Sequence, residues 1–300
     1  MNAPTVAVAG VSGDLGGRIA RALLARGASV RALVRPATAT AEKKRLESYG
    51  ATLAEVDPSD GLALATRLEG CECVVSALNG LRSVILDRQT ALLDAAVRAG
   101  VARFISSDFA LDFTKTRPGL NRNLDLRREF MARADRAALR VTSILNGGFM
   151  DMLGDEVPII QPRLRRVFYW RSADQPLDWT TKDDVANYTA AAALDASAPR
   201  ILRVAGDSIS ARQLAALLSE LAERSYRATS AGSLRTLGLM IGVTRVLVPG
   251  RDEPFPPWQG MQYMRDMFSG AGKLAPLDNE RYPGMTFTSV RAHLSGKRAW

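Results

Sequence analysis

Short β-branched apolar runs alternate with amphipathic segments from Thr5 to about residue 206, a rhythm that few folds accommodate. Thr5–Ala9 reads as a buried strand. A glycine-punctuated turn comes next, then Leu15–Arg26, where Leu15, Ile19, Ala22 and Leu23 recur at helical spacing. Gly27 stands where a helix stops. Further strands are expected over Ser29–Val34, Thr52–Val56, Cys73–Leu78, Arg103–Ser107, Val141–Leu145 and Ile201–Val204. Helices are expected over Glu42–Tyr49, Asp87–Ala99, Leu124–Ala138 and Lys182–Leu194, with a short one capped by Ser59 or Asp60. Strands separated by helices pair in parallel and are covered on both faces. The expected class is therefore α/β, a Rossmann-type doubly wound parallel sheet.

Beyond residue 206 the rhythm breaks. Ser210 and Gln213 have the spacing of a capping box ahead of Leu214–Leu221. The later part of the chain is rich in Pro, Met and aromatics: Pro254, Pro256, Pro257, Trp258, Tyr263, Met264, Met267, Phe268. A smaller C-terminal substrate-capping subdomain is expected from residues 151–175 and 207–300, beside a dinucleotide-binding domain of residues 1–150 and 176–206. The Met and aromatic residues read first as the core of that subdomain. Trp258, Tyr263 and the methionines would also suit an apolar or aromatic ligand.

The strongest local signal is Gly10-Val11-Ser12-Gly13-Asp14-Leu15-Gly16-Gly17, between the first strand and the first helix. Glycine serves where backbone turns tightly, nears a pyrophosphate and lets a helix pack closely on a sheet. The helix N-terminus then offers N–H groups and positive dipole to phosphate. The spacing is G-x-x-G-x-x-G rather than G-x-G-x-x-G, as in extended and atypical short-chain dehydrogenases. The second strand ends Leu33-Val34-Arg35, with no acid until Glu42. An acid at that tip suits a ribose 2′-hydroxyl, an arginine the 2′-phosphate of NADP(H). Lys43 or Lys44 would add charge.

Composition removes several alternatives. Forty Lys plus Arg against 31 Asp plus Glu leave a net charge of +9, scattered from Arg18 to Arg298. The densest basic cluster is Arg163, Arg165 and Arg166, so the excess reads as a solvated surface. No helix-turn-helix, zinc or aromatic RNA motif points to nucleic acid. Cys71 and Cys73 are not expected to bridge, and with one histidine, His293, no Cys/His metal site can form. Leu237–Val248 is too short to span a bilayer and contains Arg245. No basic-then-apolar signal segment opens the chain. The expectation is a cytoplasmic protein with a small-molecule substrate, no metal and no membrane partner, a homodimer being left open.

Several segments together resemble the NmrA-like and isoflavone-reductase-like atypical short-chain dehydrogenases. They are the Gly10–Gly16 loop, Leu33-Val34-Arg35, the Asp57 turn, Ala102–Phe109, Thr142–Phe149 and Asp184-Val185-Ala186. The likeness covers roughly residues 5–205 and fades in the C-terminal part. It implies that Gly10, Ser12, Gly13, Asp14, Leu15 and Gly16 hold the pyrophosphate, and Arg35, with Lys43, the 2′-phosphate. Asn79 and Gly80 would lie near the nicotinamide ribose. Ser106, Asp108, Phe109, Asn146, Gly147 and Phe149 would line the nicotinamide and substrate end. Phe109 and Phe149 fit a core role equally well.

The resemblance implies a catalytic lysine at the start of a K-x-x-x-R-R helix, and here that position is Asn123, followed by Arg127-Arg128. An amide cannot shuttle a proton at neutral pH. No tyrosine is followed four residues later by lysine either. Three readings stay open. Lys115 replaces the lost lysine; or hydride passes directly to a quinone, enone or similar acceptor that Ser107, Asp108 or Asn123 only orients. In the third, the chain binds NADP(H) without turnover, as a redox sensor.

Overall fold

β1 (Thr5–Ala9) is the centre from which the fold is built: Val6, Ala7 and Val8 are fully buried, and the strand pairs in parallel with β2 (Ser29–Val34) and β4 (Cys73–Ser76). Each fully buried valine contributes about 1.5–3 kcal/mol relative to exposure. The continuous apolar runs of these strands follow from helices lying on both sheet faces. This computed structural model describes residues 3–154 and 158–296. Arg298 and the stretch 155–157 of the expected insertion lie outside the described residues.

The other early elements come in chain order. They are α1 (Asp14–Ala25), α2 (Thr40–Ser48), β3 (Thr52–Glu55), α3 (Gly61–Leu68), α4 (Gln89–Arg98), β5 (Arg103–Ser106), α5 (Arg122–Ala134) and β6 (Arg140–Leu145). After β7 (Gly148–Phe149), β8 (Ile160–Gln161), β9 (Arg166–Tyr169) and β10 (Leu177–Thr180) come α6 (Lys182–Leu194) and β11 (Ile201–Arg203). The chain ends with β12 (Asp207–Ile209), α7 (Ala211–Ala222), β13 (Arg227–Ser230), α8 (Leu234–Leu247), α9 (Pro257–Ser269) and α10 (Val290–Ser295).

The main sheet has seven strands in the order β11-β6-β5-β4-β1-β2-β3. It is the parallel, Rossmann-type sheet expected from the alternation. Asp60 caps α3 by accepting from the N–H groups of Leu62 and Ala63, and Ser210 with Gln213 forms the capping box of α7. One element departs from expectation. Ser83–Arg88 is a π-helical segment leading into α4, where the sequence predicts a continuous α-helix from Asp87.

Contacts divide the chain into two units. The first holds residues 1–109, 126–144 and 185–202, and the second 110–125, 145–184 and 203–300. These limits differ from those read in the sequence, because 110–125, 145–150, 176–184 and 203–206 cluster with the second unit. That unit is also more regular than expected: it contains two three-stranded sheets, β12-β10-β7 and β13-β9-β8. Its core includes Trp170, Trp179, Trp258, Met264 and Phe268, so these aromatics serve packing. Among the described residues, no helix is long and apolar enough to cross a membrane, and no His, Cys, Asp or Glu cluster could hold a metal ion.

Candidate functional site

In the first unit the sheet order reverses between β1 and β4, with β2 and β3 on one side and β5 and β6 on the other. Ligands of open α/β sheets bind outside the strand carboxyl ends at such a reversal. The glycine loop lies there. Gly10 has φ +78, and a Cβ on it would stand 2.5 Å from the Ala77 carbonyl oxygen at the end of β4. A Cβ on Gly16 would stand 2.2 Å from the Gly10 carbonyl oxygen. Gly13 is less constrained, at 3.2 Å from that same oxygen. It is the N-cap of α1 and supplies no side-chain acceptor, which suits a ligand taking that place. Ser12 is exposed, Leu15 half-buried, and Asp14 pairs with Arg18 at 2.7 Å.

Arg35 follows the last residue of β2. It is exposed, and its guanidinium makes no hydrogen bond or ion pair among the described residues. Lys43 is differently placed: its ammonium donates to Glu55 Oε1 at 2.7 Å and to the Pro36 carbonyl at 3.1 Å. Its charge is already matched, which weakens its expected part in holding a phosphate. Lys44 is exposed and has no such partner among the described residues. Asn79 is exposed, and Gly80 is buried against Val84, with room for no Cβ.

The segment after β5 turns inward. Asp108 is wholly buried; its Oδ2 accepts from Ser106 Oγ and, at 2.6 Å, from Ser143 Oγ. Burial raises its carboxyl above the ordinary range, although the two serine hydroxyls and the charges of Arg127 and Arg200 oppose the shift. Arg200 donates to Ser143 Oγ at 2.8 Å and to Asp135 at 2.7 Å. The expected ligand-lining side chains of Ser106 and Asp108 are thus part of an internal polar network beside β6. Ser107 Oγ donates to the Leu78 carbonyl at 2.6 Å, and its N–H to Gln89 Oε1 at 2.9 Å. Phe109 is buried too.

Gln89 is a residue that sequence reasoning misses. It is fully buried, accepts from Ser76 Oγ at 2.6 Å and from Ser107 N, and donates to the Ile85 carbonyl at 3.1 Å. One amide so ties the ends of β4 and β5 to the π-helical segment. Such segments often mark functional positions, but this sequence carries no cue for it.

In the second unit, Asn146 is buried and donates its N–H to the Ala110 carbonyl at 3.0 Å; its own carbonyl accepts from Thr180 Oγ1 at 2.7 Å. Its Oδ1 has no partner among the described residues. Gly147 has φ +71, and a Cβ there would stand 2.4 Å from the Asp178 carbonyl oxygen. Phe149 is half-buried on β7.

Lys115, the candidate to replace the lost lysine, and Asn123, expected at most to orient the acceptor, are both held structurally. Asn123 is buried, donates Nδ2 to the Pro254 carbonyl at 2.8 Å and accepts from Arg122 Nε at 3.1 Å. The Lys115 ammonium donates to the Ala275 carbonyl at 2.8 Å and lies 3.3 Å from Asp112 Oδ2. Neither side chain is poised as a free acid. Nor is Trp258 an open platform: it is buried, donates Nε1 to the Pro249 carbonyl at 2.9 Å, and has the Arg122 guanidinium 4.6 Å from its ring centre.

Comparison with known proteins agrees with the topology. The chain is 29% identical over 200 residues to pinoresinol reductase 1 of Arabidopsis thaliana, covering 62% of this chain and 63% of that enzyme. The match to the first curated relatives therefore spans less than two thirds of their length, 63% in each. A bifunctional pinoresinol-lariciresinol reductase 1 of Linum usitatissimum is 28% identical over 253 residues, covering 79% of this chain and 81% of that protein. Among solved structures, AtPrR2 with NADP+ and (+)pinoresinol superposes with a TM-score of 0.82 at 21% identity, covering 98% of both chains. The NADPH-dependent quinone oxidoreductase QOR2 complexed with NADPH, from Escherichia coli, gives 0.75 at 19% identity, covering 97% of this chain and 99% of that one. Residues 2–241 match the NmrA-like family, and with the sheet order, the glycine loop and these likenesses the chain belongs to that family.

Proposed function

We propose that this chain is an NADPH-dependent reductase acting on a small, apolar or aromatic conjugated acceptor such as a quinone or enone. The observation that carries the reading is Arg35, exposed and unpaired among the described residues beside a glycine loop too tight for side chains. That combination fits a 2′-phosphorylated dinucleotide: Gly10 and Gly16 leave backbone space that a Cβ would fill, and Arg35 offers a guanidinium to the phosphate. Relatives named for pinoresinol and quinone reduction support the acceptor class.

When bound, NADPH supplies a hydride, and a proton from water completes reduction of the acceptor. The chain's own residues bind and orient. Gly10, Ser12, Gly13, Asp14, Leu15 and Gly16 receive the pyrophosphate at the start of α1, and Arg35, with Lys44, the 2′-phosphate. Asn79 and Gly80 adjoin the ribose. In this reading Ser107 and Gln89 hold the strand ends in register. Two buried free thiols accord with a reducing, cytoplasmic setting.

A second reading, a regulatory protein that binds NADP(H) without turnover, draws on one observation. Asn123 stands where the family lysine is expected, and both it and Lys115 are engaged in structural hydrogen bonds. NADPH oxidation measured at 340 nm — a wavelength set by the nicotinamide itself, roughly the same in any protein — against quinones and enones decides between them. Turnover that falls in Arg35→Ala and recovers at high NADPH supports the reductase. Binding of NADPH with no turnover on any acceptor would leave the regulatory reading.

A further inference from the structure

The helix α8 has two apolar faces, and only one is used. Leu237 and Ile241 are buried in the core of the second unit. On the other side Leu239 is 70% exposed, Val243 50%, Val246 79% and Leu247 74%. Helical spacing puts Leu239, Val243 and Val246 on one stripe, with Gly238 and Gly242 beside them. Met240, Val248 and Phe255 extend the exposed apolar surface. Most large exposed apolar side chains of the described residues are gathered in this one stretch, where a soluble surface scatters them singly.

Within the helix the charges share one sign. Leu234–Leu247 contains Arg235 and Arg245 and no acid; the next acidic residue is Asp252. At its N-terminal end an open cleft of ≈ 530 Å³ is lined by Arg171, Gly232, Ser233, Leu234 and Arg235. Toward its C-terminal end the Arg245 guanidinium lies 5.3 Å from the Trp258 ring centre, on which Arg122 also stacks. Arg122 bonds there only to uncharged oxygens, the carbonyls of Glu253 and Pro254 and the Asn123 amide, so its charge is not neutralised.

We infer that α8 seats this protein on an anionic lipid surface, lying in the plane of the interface with Leu239, Val243, Val246 and Leu247 among the acyl chains. The arginines at both ends meet the headgroups. An apolar stripe flanked by arginines is the pattern of an interfacial helix, and it needs none of the length that a membrane-spanning helix requires. Charge complementarity selects this occupant. A second copy of the chain docked on the same face would bring its own Arg235 and Arg245 against these, whereas an anionic bilayer neutralises them.

The test uses the full chain and sedimentation with vesicles of phosphatidylcholine alone or doped with phosphatidylglycerol, at low and high salt. Partition onto the doped vesicles is expected to exceed that onto neutral ones by about tenfold or more, and to fall as salt rises. Leu239→Glu combined with Val246→Glu should lose about tenfold or more through the apolar stripe. Arg235→Gln combined with Arg245→Gln should lose at least as much through charge, by roughly an order of magnitude per pair. This second pair decides the question if the glutamate pair fails to fold by circular dichroism. Equal partition onto both vesicle types, or none, overturns the inference. So does a concentration-dependent dimer in sedimentation velocity that the glutamate pair dissolves while vesicles bind nothing, which would give the face to a second copy.

Discussion

Adding one methyl group at Gly16 should separate the steric demand of the glycine loop from its conformational demand. Gly16 lies within α1 and is not in the left-handed region, so alanine there carries no dihedral penalty. The new Cβ would nonetheless stand 2.2 Å from the Gly10 carbonyl oxygen, 2.7 Å from its carbon and 3.1 Å from the Val11 Cα. All three are backbone atoms, so no rotamer change relieves the contact. Either the loop or α1 moves by roughly 1 Å to restore ordinary contact. Overpacking costs about 1–3 kcal/mol, and an approach of 2.2 Å to backbone puts this site at the upper end, about 3 kcal/mol. Alanine's better helix propensity returns up to about 1 kcal/mol, leaving a net loss near 2 kcal/mol. At about 2–4 °C per kcal/mol, Tm should fall by roughly 4–8 °C. Gly13→Ala is the control, since its Cβ meets a single atom at 3.2 Å. It should cost under about 1 kcal/mol, mostly as a poorer N-cap. Thermal denaturation by circular dichroism, with and without NADPH, reads both. NADPH should protect Gly16→Ala less than wild type, because the displaced loop is the proposed phosphate cradle. Wild-type Tm for Gly16→Ala, or an equal fall for Gly13→Ala, would refute the reasoning.

Buried groups carry consequences of their own. Burial raises the Asp108 carboxyl, so the folded state holds its proton more tightly than the unfolded chain. Its stabilising contribution is complete below the ordinary carboxyl range and is lost as pH climbs from there through the raised value. Stability of wild type relative to Asp108→Asn should therefore fall with rising pH, and a flat difference would contradict this. Burial pushes the Cys73 thiol up to about 12. A disulfide reagent near pH 8 (about four pH units below that value) should modify Cys73 only in denaturant, and fast native reaction would show the site to be open. Asn123→Ala breaks a half-buried bond to a backbone carbonyl and Lys115→Met an exposed one. The first should cost about 1–2 kcal/mol of stability and the second under about 1 kcal/mol, with the pH profile of kcat unmoved; loss of a titration from that profile in Lys115→Met would restore that residue as an acid.

The first unit is legible because parallel strands covered on both faces read as uninterrupted apolar runs, and because its first four helices each stop at a glycine. Gly27, Gly50 and Gly100 all adopt positive φ at those stops. The position of Arg35 is legible for the same reason: the run Ser29–Val34 locates the strand tip, and the residue after it is the one proposed to meet the ribose. The roles of Asn123 and Lys115 are not, since their partners Pro254 and Ala275 lie more than a hundred residues away. The pairing of Lys43 with Glu55, on the next strand, carries no mark in the sequence either. α8 shows in the sequence only as the short apolar stretch Leu237–Val248, because which of its sides is covered is decided by tertiary packing. The π-helical segment leads into Gln89, whose side-chain bonds to β4 and to the residue after β5 are tertiary contacts invisible to local periodicity.

The central claim is that Arg35 selects a 2′-phosphorylated dinucleotide. Calorimetric titration of wild type and Arg35→Ala with NADPH and NADH tests it most directly. A charged hydrogen-bonded contact contributes about 1.5–3 kcal/mol, so Arg35→Ala should weaken NADPH by about 10- to 150-fold. Affinity for NADH, which has no 2′-phosphate, should change by less than about threefold. Equal losses for the two dinucleotides, or a wild-type protein that does not distinguish them, would contradict the account.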